Sequence, residues 1–251
     1  MSLHVEIFGS GKPLVMLHGW GMHGGIWGSA AGQLAQHYRV HCVDLPGYGA
    51  SVGLAQYNLD EIVQRLAAHF TEPVSVCGWS LGGQVALRWA QRHPAQVSKL
   101  VLVASTPCFV QREGWLYAMA ADTFQDFAAS LLQNHVQTLR RFIALQVRGS
   151  EHEREVLADM RARLFSRGEP DVTTLCSGLD ILRDTDLRNQ LAQIAQDALV
   201  IAGERDMLTP PTASAYLAQA LPNARLTEIK GAAHAPFLSH PEIFVKYITS
   251  F

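Results

Sequence analysis

Val74-Ser75-Val76-Cys77-Gly78-Trp79-Ser80-Leu81-Gly82-Gly83 is a β-branched apolar run that turns, through a G-x-S-x-G pattern, directly into the helix-like stretch Leu81 to His93. A chain that leaves a strand and enters a helix within one or two residues forces the residue between them into a strained conformation, with its side chain projecting outward. Gly78 and Gly82 remove the Cβ atoms that would collide at such a turn, and Gly83 adds a third small residue where helix and sheet must approach closely. Ser80 is the projecting residue. The N–H groups of the first helical turn have no partners inside the helix, so they favour negative charge on an oxygen held beside Ser80.

Around this turn, β-rich runs alternate with helical periodicity, the pattern of a mostly parallel sheet covered on both faces. Strands are predicted at Leu3–Phe8, Pro13–Leu17, Val40–Asp44, Val74–Gly78, Lys99–Ala104, Ala198–Ala202 and Arg225–Ile229. Helices are predicted at Ile26–His37, Leu59–Phe70, Leu81–His93, Thr212–Leu221 and His240–Thr249, with Asn58 and Thr212 as capping-type residues at two of the entries. Between Thr106 and Asn189 the strand signal is replaced by helical spacing, as in Phe124, Phe127, Leu131, Leu139, Phe142, Ile143 and Leu145. The expected organisation is a core of residues 1–105 and 190–251 interrupted by a helical cap, 106–189, lying as a mobile lid over the carboxyl edge of the strands. Ligands bind at that edge in open α/β sheets.

The 251 residues, 48% of them apolar, suit one α/β core with an insertion, and a formal charge of −2 gives no bulk reason to expect nucleic acid or an anionic membrane as partner. No run approaches the ~18 apolar residues of a membrane span, and Met1-Ser2-Leu3-His4-Val5-Glu6 lacks the basic and apolar regions of a signal peptide, which predicts a cytoplasmic protein. Cys42, Cys77, Cys108 and Cys176 form no C-x-x-C pair, and the 11 histidines include no H-E-x-x-H motif, so neither a metal nor any other cofactor is expected.

A serine hydroxyl attacks an ester at neutral pH only with a base to take its proton and a carboxylate to orient that base. Ala198 to Asp206 reads as a strand ending in a turn that carries a carboxylate, with Glu204 a nearby competitor. Leu226 to His234 reads as a strand ending in a loop that carries an imidazole flanked by small and apolar residues. Ser80, Asp206 and His234 are therefore the candidate catalytic residues. Leu14-Val15-Met16-Leu17-His18-Gly19-Trp20-Gly21 is a strand running into a glycine-flanked turn, so the N–H of Trp20, with that of Leu81, can receive the developing oxyanion. His18 reads as a buried hydrogen-bonding residue, Asp44 to Ser51 as loop architecture, and Asp180, Asp184 and Asp186 as solvated or capping carboxylates.

With these motifs in this order, the chain resembles the α/β-hydrolases over essentially its full length. Leu17-His18-Gly19-Trp20-Gly21, Gly78 to Gly83, Ala104 to Phe109, Arg141 to Gln146, Gly178 to Leu182, Asp186 to Arg188 and Ala232 to Phe237 resemble the pimeloyl-[acyl-carrier protein] methyl ester esterases of biotin synthesis. The resemblance implies an α/β-hydrolase fold with an inserted helical cap and hydrolysis of a terminal methyl ester on a carrier-bound acyl chain. It further implies a substrate site of Trp20, Ser80, Leu81, Phe142, Ile143, Ala144, Leu145, Gln146 and His234. Small esters and an acidic acyl-carrier protein are the implied partners, with a monomeric enzyme expected. Arg141 and Arg154 would contact the carrier, within a cap where Arg140, Arg148, Arg161, Arg163 and Arg167 add further positive charge. Gln137 and Ala158 stand where the family pattern suggests more basic residues. A general short-chain carboxylesterase, a carbon–carbon bond hydrolase or a ligand-sensing protein on the same scaffold are the readings that the residues alone leave open.

Overall fold

Seven strands form one sheet in the computed structural model, which describes residues 2–251. They are β1 (Val5–Phe8), β2 (Pro13–Leu17), β3 (Arg39–Val43), β4 (Val74–Trp79), β5 (Val97–Val103), β6 (Asp197–Gly203) and β7 (Ala224–Ile229), in the order β1-β3-β2-β4-β5-β6-β7. Every neighbouring pair is parallel except β1 with β3. The central strands are buried on both faces, which is why Val15, Met16, Leu17, Val76, Cys77, Leu100, Leu102, Val200 and Ile201 read as continuous apolar runs instead of alternating ones. All four cysteines are free thiols.

The helices are α1 (Gly28–Leu34), α2 (Leu59–His69), α3 (Leu81–Arg92), α4 (Ala121–Gln133), α5 (His135–Val147), α6 (Glu153–Leu164), α7 (Val172–Asp184), α8 (Pro211–Ala220), α9 (Pro236–Ser239) and α10 (Pro241–Thr249). Asn58 caps α2 as its sequence predicts, its side-chain oxygen accepting the Glu61 N–H at 2.9 Å. Three expectations need correction. The helix predicted over Ile26–His37 is a 3-10 turn, Gly24–Trp27, followed by the short α1, because Gly28 takes a positive φ of 39° that no continuous helix accommodates. Thr212 does not cap α8: the helix starts at Pro211, a residue pre-set for the first turn, and no side chain caps it. The stretch after His234, read as loop, turns into α9, and this short helix likewise opens on a proline.

Helices α4 to α7 all lie between β5 and β6, and the two stems of this segment are tied by an antiparallel bridge between Cys108 and Asp186. Trp20 Nε1 donates to Leu175 O of α7 at 2.9 Å, and Arg163 Nη1 of α6 donates to Gly25 O at 2.8 Å, so the helices rest on the loops that leave the carboxyl ends of the strands. A buried ion pair adds to this attachment. Asp44, 0% exposed, accepts the N–H groups of Gly24 and Ala50 at 2.7 and 2.9 Å and Arg167 Nη1 at 2.7 Å, while Arg167 also pairs with Glu6. Among the described residues no helix is long and apolar enough to cross a membrane.

Candidate active site

Ser80 joins β4 to α3 with φ 55° and ψ −118°, a conformation that costs a non-glycine residue about 1–3 kcal/mol and persists only where its surroundings over-determine it. They do so here. Ser80 N–H donates to Val103 O at 3.0 Å, and its carbonyl accepts from Gly83 N at 2.9 Å and from Ser105 Oγ at 2.9 Å. A Cβ on Gly78 would lie 2.2 Å from Gly82 O, and one on Gly82 would lie 2.3 Å from Leu17 O, so the turn closes only with glycine at both places.

Asp206 follows β6 and His234 follows β7, and the structure brings them together: His234 Nδ1 donates to Asp206 Oδ2 at 2.8 Å with both side chains buried. The carboxylate also accepts Leu208 N, Thr209 N and Thr209 Oγ1. Glu204, the sequence competitor, is exposed and accepts instead from Gly231 N at 2.9 Å. The His234 backbone is held from both sides, its carbonyl accepting Trp79 Nε1 at 2.7 Å and its N–H donating to Gln146 O at 3.0 Å. The Trp79 and His234 rings lie 5.6 Å apart. Because Trp79 immediately precedes Ser80, the bond from its indole to the His234 carbonyl ties the histidine loop to the serine turn. With Nδ1 committed to Asp206, Nε2 is the ring nitrogen left for a proton from elsewhere.

The loop after β2 approaches the same point, since a Cβ on Gly19 would sit 3.2 Å from Ser80 Cβ. His18 shapes it. Leu45 N–H donates to His18 Nε2 at 2.9 Å, so the ring proton resides on Nδ1, which donates to Gly19 O at 2.8 Å. Burial lowers the His18 pKa to about 4, so the ring is neutral at physiological pH and serves as the hydrogen-bonding residue expected from the sequence. Leu81 opens α3, where its N–H has no partner inside the helix.

Trp20, in the loop after β2, meets Phe127 and Phe142 edge to face with centroids 5.5 and 5.2 Å away, and the two phenylalanine rings lie tilted against each other at 5.3 Å. Phe142, Ile143 and Gln146 occupy the buried face of α5 and Ala144 is half-buried, whereas Leu145 points away and is 44% exposed. The structure therefore does not bring Leu145 to the face it was expected to share. Among the described residues Gln146 Oε1 is buried without a hydrogen-bond partner. Arg141 and Arg154 are exposed, Arg140 and Arg161 line a cleft of about 440 Å³ with Leu164 and Phe165, and Arg163 and Arg167 are drawn into ion pairs with Asp159 and Asp44. Sequence reasoning missed Thr209 and the Trp79 indole. A hydroxyl three residues after a turn carboxylate was the one available signal for the first, and the second had none. Among the described residues no cluster of three or more His, Cys, Asp or Glu can hold a metal ion.

A parallel sheet with a strained serine turn and a carboxylate-bound histidine at one edge defines the hydrolase class of α/β proteins, and residues 12–241 match the model of the alpha/beta hydrolase fold. An esterase from Exiguobacterium antarcticum superimposes with a TM-score of 0.88 at 26% identity, covering 99% of this chain and 94% of that one. The pimeloyl-[acyl-carrier protein] methyl ester esterase of Nitrosomonas europaea is 48% identical over 244 residues, 97% of each chain. The protein of that name from Chromobacterium violaceum is 46% identical over 98% of this chain and 96% of its own. The chain belongs to the pimeloyl-[acyl-carrier protein] methyl ester esterase family of the alpha/beta hydrolases.

Proposed function

We propose that this protein is a serine carboxylesterase that hydrolyses the methyl ester of pimeloyl-[acyl-carrier protein] methyl ester, releasing methanol and leaving the carrier thioester intact. The observation that carries the reading is the 2.8 Å contact of His234 Nδ1 with Asp206 Oδ2, in a loop bonded through the His234 carbonyl to Trp79, the residue before a serine held at φ 55°. Ser80 Oγ attacks the ester carbonyl as His234 Nε2 takes its proton. The Trp20 and Leu81 N–H groups receive the oxyanion, each such donor contributing about 3 kcal/mol to the transition state. His234 then protonates the departing methoxide, and water, activated by the same imidazole, cleaves the acyl-enzyme. Asp206 holds the tautomer and stabilises the imidazolium.

The relatives' names support the substrate. Helices α4 to α7 act as the cap, in which the buried face of α5 walls the acyl chain and the unpartnered side-chain Oε1 of Gln146 offers the acyl channel an acceptor. Arg141 and Arg154 meet the acidic carrier, with Arg140 and Arg161 alongside. The enzyme works as a cytoplasmic monomer.

The test compares the carrier-bound methyl ester with a free short-chain ester, using the intact protein and Ser80→Ala. Ser80→Ala is expected to fold normally and to turn over neither. The preference for the carrier-bound ester is expected to shrink as salt rises. Full activity of Ser80→Ala on any ester would overturn the mechanism, and the absence of a preference for the carrier-bound ester would overturn the substrate.

A further inference from the structure

Every lone-pair position of the Asp206 carboxylate is taken. Leu208 and Thr209 N–H groups donate to Oδ1 at 2.9 and 3.0 Å, Thr209 Oγ1 donates to Oδ2 at 2.7 Å, and His234 Nδ1 donates to that same Oδ2 at 2.8 Å. Thr209 Oγ1 also stands 3.3 Å from His234 Nδ1. A hydroxyl has one proton and two lone pairs. Once that proton is given to Oδ2, a lone pair is turned toward Nδ1–H, so the triangle closes with only one polarity: hydroxyl to carboxylate, imidazole to carboxylate, and a weak second contact from imidazole to hydroxyl. Thr209 is 1% exposed, which leaves bulk water no access to replace its hydroxyl.

We propose that Thr209 is a positioning residue for ester hydrolysis, its hydroxyl locking the Asp206 carboxylate in the rotation that presents Oδ2 to His234. The inference rests on the assignment of Asp206 and His234 to the catalytic triad. It follows from what each donor fixes. The two backbone N–H groups anchor Oδ1 but leave the carboxylate plane free to rock about that anchor. The hydroxyl fixes the second oxygen, and with it the direction in which the imidazole must point. A hydrogen bond to an ionised, buried acceptor is among the stronger ones in a protein.

Two substitutions separate the hydroxyl from the packing of the methyl group. Thr209→Val keeps the shape and removes the hydroxyl, whereas Thr209→Ser keeps the hydroxyl and removes the methyl. On a short-chain ester, Thr209→Val is expected to lower kcat about tenfold with KM unchanged within about twofold, because orientation of the base is felt in the transition state and not in ground-state binding. Thr209→Ser is expected to keep kcat within about threefold. In the resting protein, the Nδ1 proton of His234, observed by proton NMR, is expected to stay sharp in Thr209→Ser and to move upfield or vanish into solvent exchange in Thr209→Val.

A Thr209→Val protein with normal kcat and an unchanged Nδ1 proton would overturn the proposal, as would a Thr209→Ser protein impaired like Thr209→Val. If Thr209→Val does not fold, Thr209→Ser still decides, since loss of its Nδ1 resonance or of kcat would refute a role for the hydroxyl. The NMR readout requires no turnover. Failure of the triad itself would show as an active Ser80→Ala, and failure of this proposal alone as an inactive Ser80→Ala beside an unaffected Thr209→Val.

Discussion

Gly178 lies inside α7, where intrinsic propensity favours alanine over glycine by about 1 kcal/mol. The packing opposes the exchange. A Cβ at this position would lie 2.5 Å from the Tyr48 hydroxyl, 2.7 Å from Trp20 Cδ1 and 3.0 Å from Trp20 Nε1. The approach to Cδ1 falls about 0.8 Å short of the ~3.5 Å at which carbon atoms rest. Neither neighbour has room: Tyr48 is fully buried, and Trp20 is pinned by its bond to Leu175 O at 2.9 Å and by the rings of Phe127 and Phe142. Overpacking of this kind costs about 1–3 kcal/mol, so after the helical gain Gly178→Ala is expected to lose about 0–2 kcal/mol of stability. At about 2–4 °C per kcal/mol for a chain of this size, melting falls by 8 °C or so at most. Activity suffers more. A shift of the Trp20 side chain drags the N–H assigned to the oxyanion, and a misplacement near 1 Å costs on the order of a hundredfold, so kcat on a short-chain ester is expected to drop about 10- to 100-fold. Thermal melting and steady-state kinetics on one preparation are the assay. A folded variant retaining kcat within about threefold would refute the link from α7 through Trp20 to the serine turn.

Arg167→Ala leaves the buried Asp44 carboxylate with only its two backbone donors, and breaking a buried pair in this way is expected to cost about 3 kcal/mol, read by urea unfolding. The same carboxylate makes a pH prediction. Burial pushes the Asp44 pKa up, but the Ala50 N–H, the Arg167 guanidinium and the Gly24 N–H outweigh burial and hold it below the ordinary value. A depressed native pKa stabilises the fold above the unfolded carboxylate value of about 4, and the contribution is lost as pH falls through the native value. Unfolding free energy is therefore expected to decline on acidification, and to decline less steeply in Asp44→Asn. Arg141→Glu with Arg154→Glu is expected to raise KM for the carrier-bound ester several-fold at low salt and to leave a free short-chain ester unaffected, and equal effects on both substrates would refute carrier contact.

The strands were legible because parallel strands buried on both faces must be apolar and β-branched without interruption, and β2 was bounded to the residue at Pro13–Leu17. Ser80, Asp206 and His234 were legible because each stands just past a strand, where a turn signal follows an apolar run. What failed depends on partners distant in sequence. The periodicity of α5 marks Phe142, Ile143 and Leu145 alike as apolar, and only the packing of Trp20 against Phe142 shows which face is turned inward. The strain at Gly28 comes with the close approach of Arg163, whose guanidinium would meet a Cβ there at 2.8 Å, a contact between residues too far apart in sequence for local propensity to register. Thr209 looks like any turn threonine until the fold of β6 and β7 places an imidazole against its hydroxyl.

The convergence at the sheet edge is a consequence of register. Trp79 pairs with Val103, Val103 with Ile201, and Gly203 with Ile229, so β4, β6 and β7 finish within a residue or two of one line across the sheet. A slip of one residue in β4 would turn the Trp79 indole to the opposite face and remove its bond to the His234 carbonyl. The second tie comes from the helices. His234 N–H is held by Gln146 O, Glu151 N–H donates to Gly231 O at 2.8 Å, and Arg205 Nη1 donates to Gly149 O at 2.9 Å, so the end of α5 and the turn into α6 are stitched to both loops that carry Asp206 and His234. Among the described residues helix α4 makes no such hydrogen bond to the core; it packs on α5 and α7, and its Phe127 ring meets Trp20 of the loop after β2. Displacing the end of α5 would break hydrogen bonds to the histidine loop, while displacing α4 would break packing alone, against α5, α7 and the Trp20 ring, so the wall nearest His234 is the one the fold holds most firmly.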